Sequence, residues 1–90
     1  MVFCNNVYYY LHLLLYTLHD MKLGNNIRKF RFENNETSQE ELAAAVGVTR
    51  QTIHAVEKGK FVPSTLLAFK IARHFRVNVE DLFYIIEDNT

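Results

Sequence analysis

The side chains best suited to chemistry lie in Thr49-Arg50-Gln51-Thr52-Ile53-His54-Ala55-Val56-Glu57-Lys58-Gly59. Arginine carries a planar fork of donors, and glutamine an amide that both donates and accepts. Such groups on an outward polar face suit hydrogen-bonded recognition rather than bond making. Reaction chemistry finds no footing elsewhere. Nucleophilic catalysis needs a serine or cysteine with a base and an orienting acid, and no motif ties Cys4 to His12, His19, His54 or His74. Gly24, Gly47 and Gly59 are isolated, so no glycine-rich phosphate loop exists. A single cysteine and no Cys/His cluster imply neither a disulfide nor a zinc site. The expectation is a non-enzyme with no metal, no cofactor and no small-molecule substrate.

Positioning that stretch requires helices, and their boundaries carry physical signals. Asn25 or Asn26 caps a first helix to about Asn34, with Ile27, Phe30 and the stem of Arg31 inward. Ser38-Gln39-Glu40-Glu41 fits a capping box opening a second helix, Ser38 to Val46, whose small residues Ala43, Ala44 and Ala45 let a neighbour approach. Gly47 stops it with a left-handed residue. Thr49 caps the third helix, in which Ile53 and Val56 are spaced for burial, and Gly59 ends it. Pro63-Ser64 sets up a fourth helix, Thr65 to Phe75, with Leu66, Leu67, Phe69, Ile71, Ala72 and Phe75 as apolar positions. Asn78-Val79-Glu80-Asp81 repeats the cap grammar for a fifth helix through Leu82, Phe83, Ile85 and Ile86. No alternating run reads as a good strand, except residues 7 to 18. The fold class expected is all-α with five short helices.

Ninety residues, about half of them apolar, suit one small domain. Ten Lys and Arg balance ten Asp and Glu, so the whole-chain charge argues for neither nucleic acid nor membrane. The placement is uneven. Glu80, Asp81, Glu87 and Asp88 gather late, leaving Arg28, Lys29, Arg50, Lys58 and Lys60 as a candidate basic face. Residues 1–20 form an apolar extension without Lys or Arg, and its twelve-residue apolar core at residues 7 to 18 falls short of the roughly 20 residues a membrane span needs. It lacks a charged start and a small-residue cleavage site, so no export signal is read. Met21 is an expected alternative start for a domain of residues 21–90, and residues 1–20 are otherwise an arm pairing in a dimer. A cytoplasmic location is expected.

In order and spacing, Ser38-Gln39-Glu40-Glu41-Leu42-Ala43, Gly47-Val48, Thr49-Arg50-Gln51-Thr52-Ile53, Glu57-Lys58-Gly59, Pro63-Ser64 and Asp81-Leu82-Phe83 resemble the helix-turn-helix domain of the phage repressor and Cro family, the Xre-type regulators. The resemblance covers roughly residues 23 to 86. It implies a five-helix phage-repressor-like domain, with the second helix across the DNA backbone, the third (49–59) in the major groove, and a dimer on two half-sites of a palindromic operator. Arg76 departs from the pattern, since many relatives place glycine before the valine that follows the fourth helix; a left-handed Arg76 should cost about 1 kcal/mol.

Residues at the start of a groove-lying helix reach base edges first. Arg50 can donate twice to guanine O6 and N7, and Gln51 can pair with adenine N6 and N7, each discriminating by about 1–3 kcal/mol. Thr52, His54 and Ala55 complete the expected base contacts, Ala55 against a thymine methyl. Gln39, Lys58, Lys60 and Arg28 are the expected phosphate contacts. Outside this spacing Gln51 and Thr52 would be ordinary surface residues, and His54 an idle one. Glu57 is expected to be structural, paired with a neighbouring helix or arginine, because an acid facing phosphate repels. A homodimer through Phe83, Tyr84, Ile85 and Ile86 is expected, with residues 7 to 18 the second candidate. With no room after residue 86 for a sensing domain, a repressor is the simplest regulator. The rival is a protein-binding module, an antitoxin or adaptor using the same fold.

Overall fold

The computed structural model describes residues 7, 8, 10, 11 and 21–87. In chain order it contains β1 (Met21–Asn25), α1 (Ile27–Glu33), α2 (Gln39–Val46), α3 (Arg50–Glu57), α4 (Thr65–Phe75), α5 (Val79–Leu82) and β2 (Phe83–Glu87). Residues 7, 8, 10 and 11 are helical with exposed side chains. Cys4, His12, His19, Asp88 and the rest of the 7 to 18 run lie outside the described residues.

Three helix starts follow the expected capping. Ser38 Oγ accepts from the Glu41 N–H at 3.0 Å while Glu41 Oε1 accepts from the Ser38 N–H at 3.0 Å, closing the box at α2. Thr49 and Ser64 accept from the N–H groups of Thr52 and Leu67 at 3.2 and 3.1 Å. Gly47 and Gly59 take positive φ of 78° and 75° after α2 and α3. The α1 start differs. Asn26 occupies the cap position without a side-chain cap bond, and Asn25 supplies the oxygen that accepts from the Ile27 N–H.

Twelve buried side chains form one core: Ile27, Leu42, Ala43, Val46, Ile53, Val56, Leu67, Ile71, Ala72, Phe75, Leu82 and Phe83. Phe30 stacks on Phe75 with ring centroids 5.9 Å apart. Of the small residues in α2 only Ala43 is buried; Ala44 and Ala45 face outward. Leu66 and Phe69 likewise leave the core, 65% and 57% exposed, because α4 turns only its 67–71–72–75 stripe inward.

Three expectations are corrected. The fold is not wholly α: β1 pairs antiparallel with β2, Met21 opposite Glu87 and Asn25 opposite Phe83. The fifth helix ends at Leu82 and does not run through Ile86. Aromatic and β-branched residues from Phe83 to Ile86 suit a pleated strand better than a helix, and β1 supplies the ladder partner. Gly24 and Asn25, both poor strand formers, hide β1 from local reading. Phe83 is also removed from the expected dimer surface, since at 8% exposure it belongs to the chain's own core.

Candidate nucleic-acid interface

α3 presents one apolar and one polar side. Ile53 and Val56 are 0% and 2% exposed and fasten it to the core, whereas Arg50, Gln51, His54 and Lys58 are exposed and Thr52 and Ala55 half-buried. Among the described residues no side-chain bond uses Arg50 or Gln51. The Thr52 hydroxyl is engaged, 3.0 Å from that of Thr49.

An ion pair fixes the helix from behind. Arg31 of α1 donates to both Glu57 carboxylate oxygens, Nε to Oε2 at 2.7 Å and Nη2 to Oε1 at 3.0 Å, and its Nη1 donates to the Thr37 carbonyl at 2.9 Å. The side chains are only 14% and 9% exposed. A fork-to-fork pair of this kind sets orientation as well as energy, and it matches the structural role expected for Glu57. Gln39, the first residue of α2, joins the network: its Nε2 donates to Glu57 Oε1 at 3.3 Å and lies 3.5 Å from His54 Nδ1. With the acid neutralised by Arg31, the surrounding cations are left to act outward.

Arg28, Gln39, Arg50, His54 and Lys58 line one cleft of about 410 Å³, with Asn25, Arg31 and Glu57 at its base. Among the described residues Arg28, Arg50 and Lys58 have no ion-pair partner. At the α2 start the capping box consumes the Ser38 and Glu41 N–H groups, leaving those of Gln39 and Glu40 for an incoming anion. Hydrogen bonds from the backbone and then the hydroxyl of Ser38 hold the Glu41 carboxyl below its ordinary value of 4.5. Gln51, Thr52 and Ala55 sit on α3 outside the cleft, and Lys60 follows Gly59 as an exposed cation. Five of the nine expected contact residues therefore share one concavity, and the rest flank it.

Asn25 and Arg31 also line the cleft, though sequence reading placed them only as a cap and a buried stem. Their partners are 31 and 26 residues away, and no local spacing announces such a pairing. Of the expected association residues, Tyr84, Ile85 and Ile86 remain 45%, 62% and 45% exposed on β2. Among the described residues no helix is long and apolar enough to cross a membrane, and no group of His, Cys, Asp and Glu could hold a metal ion.

Residues 27–82, from the first residue of α1 to the last of α5, match the family model described as helix-turn-helix. An uncharacterised HTH-type transcriptional regulator of Bacillus subtilis is 56% identical over 52 residues, covering 58% of this chain and 79% of that protein. One from Methanocaldococcus jannaschii is 54% identical over 67 residues, 74% of this chain and 98% of its own length. The control protein C.MunI of a Mycoplasma species is 32% identical over 72 residues, 78% and 97% of the two chains.

Proposed function

The chain belongs to the Xre-like helix-turn-helix family of DNA-binding transcription regulators, and on that premise we propose that it is a dimeric repressor reading a palindromic operator with α3 in the major groove. The observation that carries this reading is the cleft shared by Arg28, Gln39, Arg50, His54 and Lys58 beside a reading helix locked by Arg31 and Glu57. Arg50 and Gln51, exposed in the first turn of α3, address base edges, with Thr52, His54 and Ala55 beside them. Arg28, Gln39, Lys58 and Lys60 hold phosphates on either side. One short helix reads too few base pairs for useful selectivity, so two are brought ~34 Å apart, one turn of duplex. Tyr84, Ile85 and Ile86, an exposed apolar run on β2, supply the contact between copies. An operator occupied in this way excludes polymerase from an overlapping promoter.

Selection of bound sequences from a random DNA pool tests the reading. A palindrome with half-sites about one turn apart is expected, and Gln51→Ala should erase preference at one base position per half-site, about 1–3 kcal/mol of discrimination. Unchanged preference removes Gln51 from the site. Lys58→Ala should weaken all sequences alike and flatten the slope of log affinity against log salt by about one for each phosphate no longer neutralised. A chain that shifts no duplex at any salt concentration favours the protein-binding module. A reporter behind the selected operator should fall on expression of the chain; a rise makes it an activator.

A further inference from the structure

We infer that Asn25 is a positioning residue for base reading, joining the sheet to the reading helix; this rests on α3 being the DNA reader. Asn25 closes β1 opposite Phe83. Side chains alternate across a strand, which puts Asn25 on the side of the sheet that carries Leu23 and Phe83 toward the core. From there its Nδ2 donates to the Val56 carbonyl at 3.0 Å and reaches the Glu57 carbonyl at 3.4 Å, both in the last turn of α3. Its Oδ1 accepts from the Ile27 N–H at 3.1 Å, in the first turn of α1. One amide thus serves an orphan donor at the start of one helix and two carbonyls at the end of another, of which that of Val56 also accepts from the Gly59 N–H at 3.1 Å.

The next residue extends the junction. Asn26 donates from its N–H to the Leu82 carbonyl at 2.8 Å and from Nδ2 to the Asp81 carbonyl at 3.1 Å, at the end of α5. The preceding residue ties the junction to the other face of the sheet. An added Cβ at Gly24 would lie 2.6 Å from Tyr84 Cζ and 3.0 Å from Ile86 Cδ1, so a side chain there would require those two exposed side chains to shift. The Tyr84 ring is therefore seated on Gly24. Tyr84 and Ile86, proposed to meet the second copy, and the amide that grips α3 are neighbours on one short strand. The relative pitch of two reading helices in a dimer passes through Asn25. The Arg31–Glu57 pair holds α3 by a side chain, and Asn25 holds it by its backbone, so the two ties use different groups even where both reach Glu57.

Two substitutions in the full chain separate clamping from capping. Asn25→Ser keeps a short oxygen able to accept from the Ile27 N–H but cannot span to α3. Asn25→Asp keeps the acceptor and turns a carboxylate toward the α3 carbonyls. Affinity is measured for the operator selected by the unmodified chain and for an unrelated duplex at one salt concentration, with sedimentation and melting alongside. Asn25→Ser should lower operator affinity about tenfold, leave the unrelated duplex bound as before because phosphate contacts carry no sequence information, and preserve the dimer; Asn25→Asp should lose more. Equal losses on both duplexes, no loss on the operator, or unfolding of Asn25→Ser at the assay temperature each overturn the positioning role. An unmodified chain that selects no sequence overturns the DNA-reading premise, an outcome visible before any variant is made.

Discussion

The proposed reading unit, α2 to α3, and the sheet of β1 and β2 solve opposite problems. The reading unit is built from short-range signals: a capping box at Ser38, a left-handed Gly47, a threonine cap at Thr49. It buries Leu42, Ala43, Val46, Ile53 and Val56, and leaves a polar rim. The sheet joins segments from either end of the helical frame, buries Phe83, and leaves Tyr84, Ile85 and Ile86 substantially exposed. The family match spans α1 to α5 and stops at both strands. A surface that must present hydrogen-bonding groups to an ordered duplex gains from a rigid backing. The sheet, proposed to meet a second copy, would gain from uncovered apolar area.

The largest expected difference between the two regions is in folding stability. Glu57→Ala leaves the half-buried Arg31 guanidinium without its carboxylate partner, which should cost up to about 3 kcal/mol and lower the midpoint of a chemical denaturation. Arg31→Met together with Glu57→Leu should recover most of that loss, because the pair is largely covered and apolar replacement of both partners of such a pair is often neutral. Ile85→Ser, at a position 62% exposed, should leave monomer stability within about 0.5 kcal/mol yet reduce the sedimenting dimer. The comparison needs protein concentrations at which the parent is also dissociated, since dimerisation itself adds apparent stability. An Ile85→Ser monomer as unstable as Glu57→Ala would make the sheet part of the core and break the contrast.

What the sequence discloses follows the same division. Each element of the reading unit is fixed by residues within four positions of one another, and the expected α2, α3 and α4 limits agree with the structure to within about two residues. The sheet is set by pairing across the whole frame, so Phe83 to Ile86 read as helix until a partner strand is known. The same holds within the site. Arg50, Gln51 and Lys58 stand out by their place on α3, whereas the bonds of Asn25 to Val56 and of Arg31 to Glu57 exist only in three dimensions. Exposure of Leu66 and Phe69 is equally hidden, since composition shows that α4 is apolar and not which stripe is covered.

A smaller effect sharpens the boundary between the two regions. Arg76 ends α4 with φ 59° and ψ 42°, in the left-handed region. A β-carbon in that region costs about 1 kcal/mol relative to glycine. Arg76→Gly should raise stability by up to about 1 kcal/mol, partly offset by the greater freedom of glycine in the unfolded chain. Operator affinity should not move, because Arg76 is in neither the cleft nor the sheet. A loss of affinity would give Arg76 a phosphate role and extend the interface onto the α4 end.

The smallest effect concerns the start of α2, where the capping box and the proposed phosphate contact draw on neighbouring N–H groups. The Glu41 carboxyl is held below its ordinary value of 4.5 by hydrogen bonds from the Ser38 backbone and hydroxyl. A group whose folded value is depressed contributes stability that is present above its unfolded value and is lost as pH falls through the folded one. The loss therefore begins below about pH 4.5 and is complete once the folded carboxyl is protonated. Glu41→Gln keeps an oxygen acceptor for the Ser38 N–H and has no proton to gain. In parallel denaturations the parent should be the more stable near neutral pH, with the gap closing through the acid range and vanishing at its lower end. A gap that persists in acid would mean the glutamate acts by packing and not by charge. Because Glu41 occupies the Ser38 N–H, Glu41→Ala would also expose that donor, and firmer operator binding by this less stable variant would show that the capping box competes with phosphate for the end of α2.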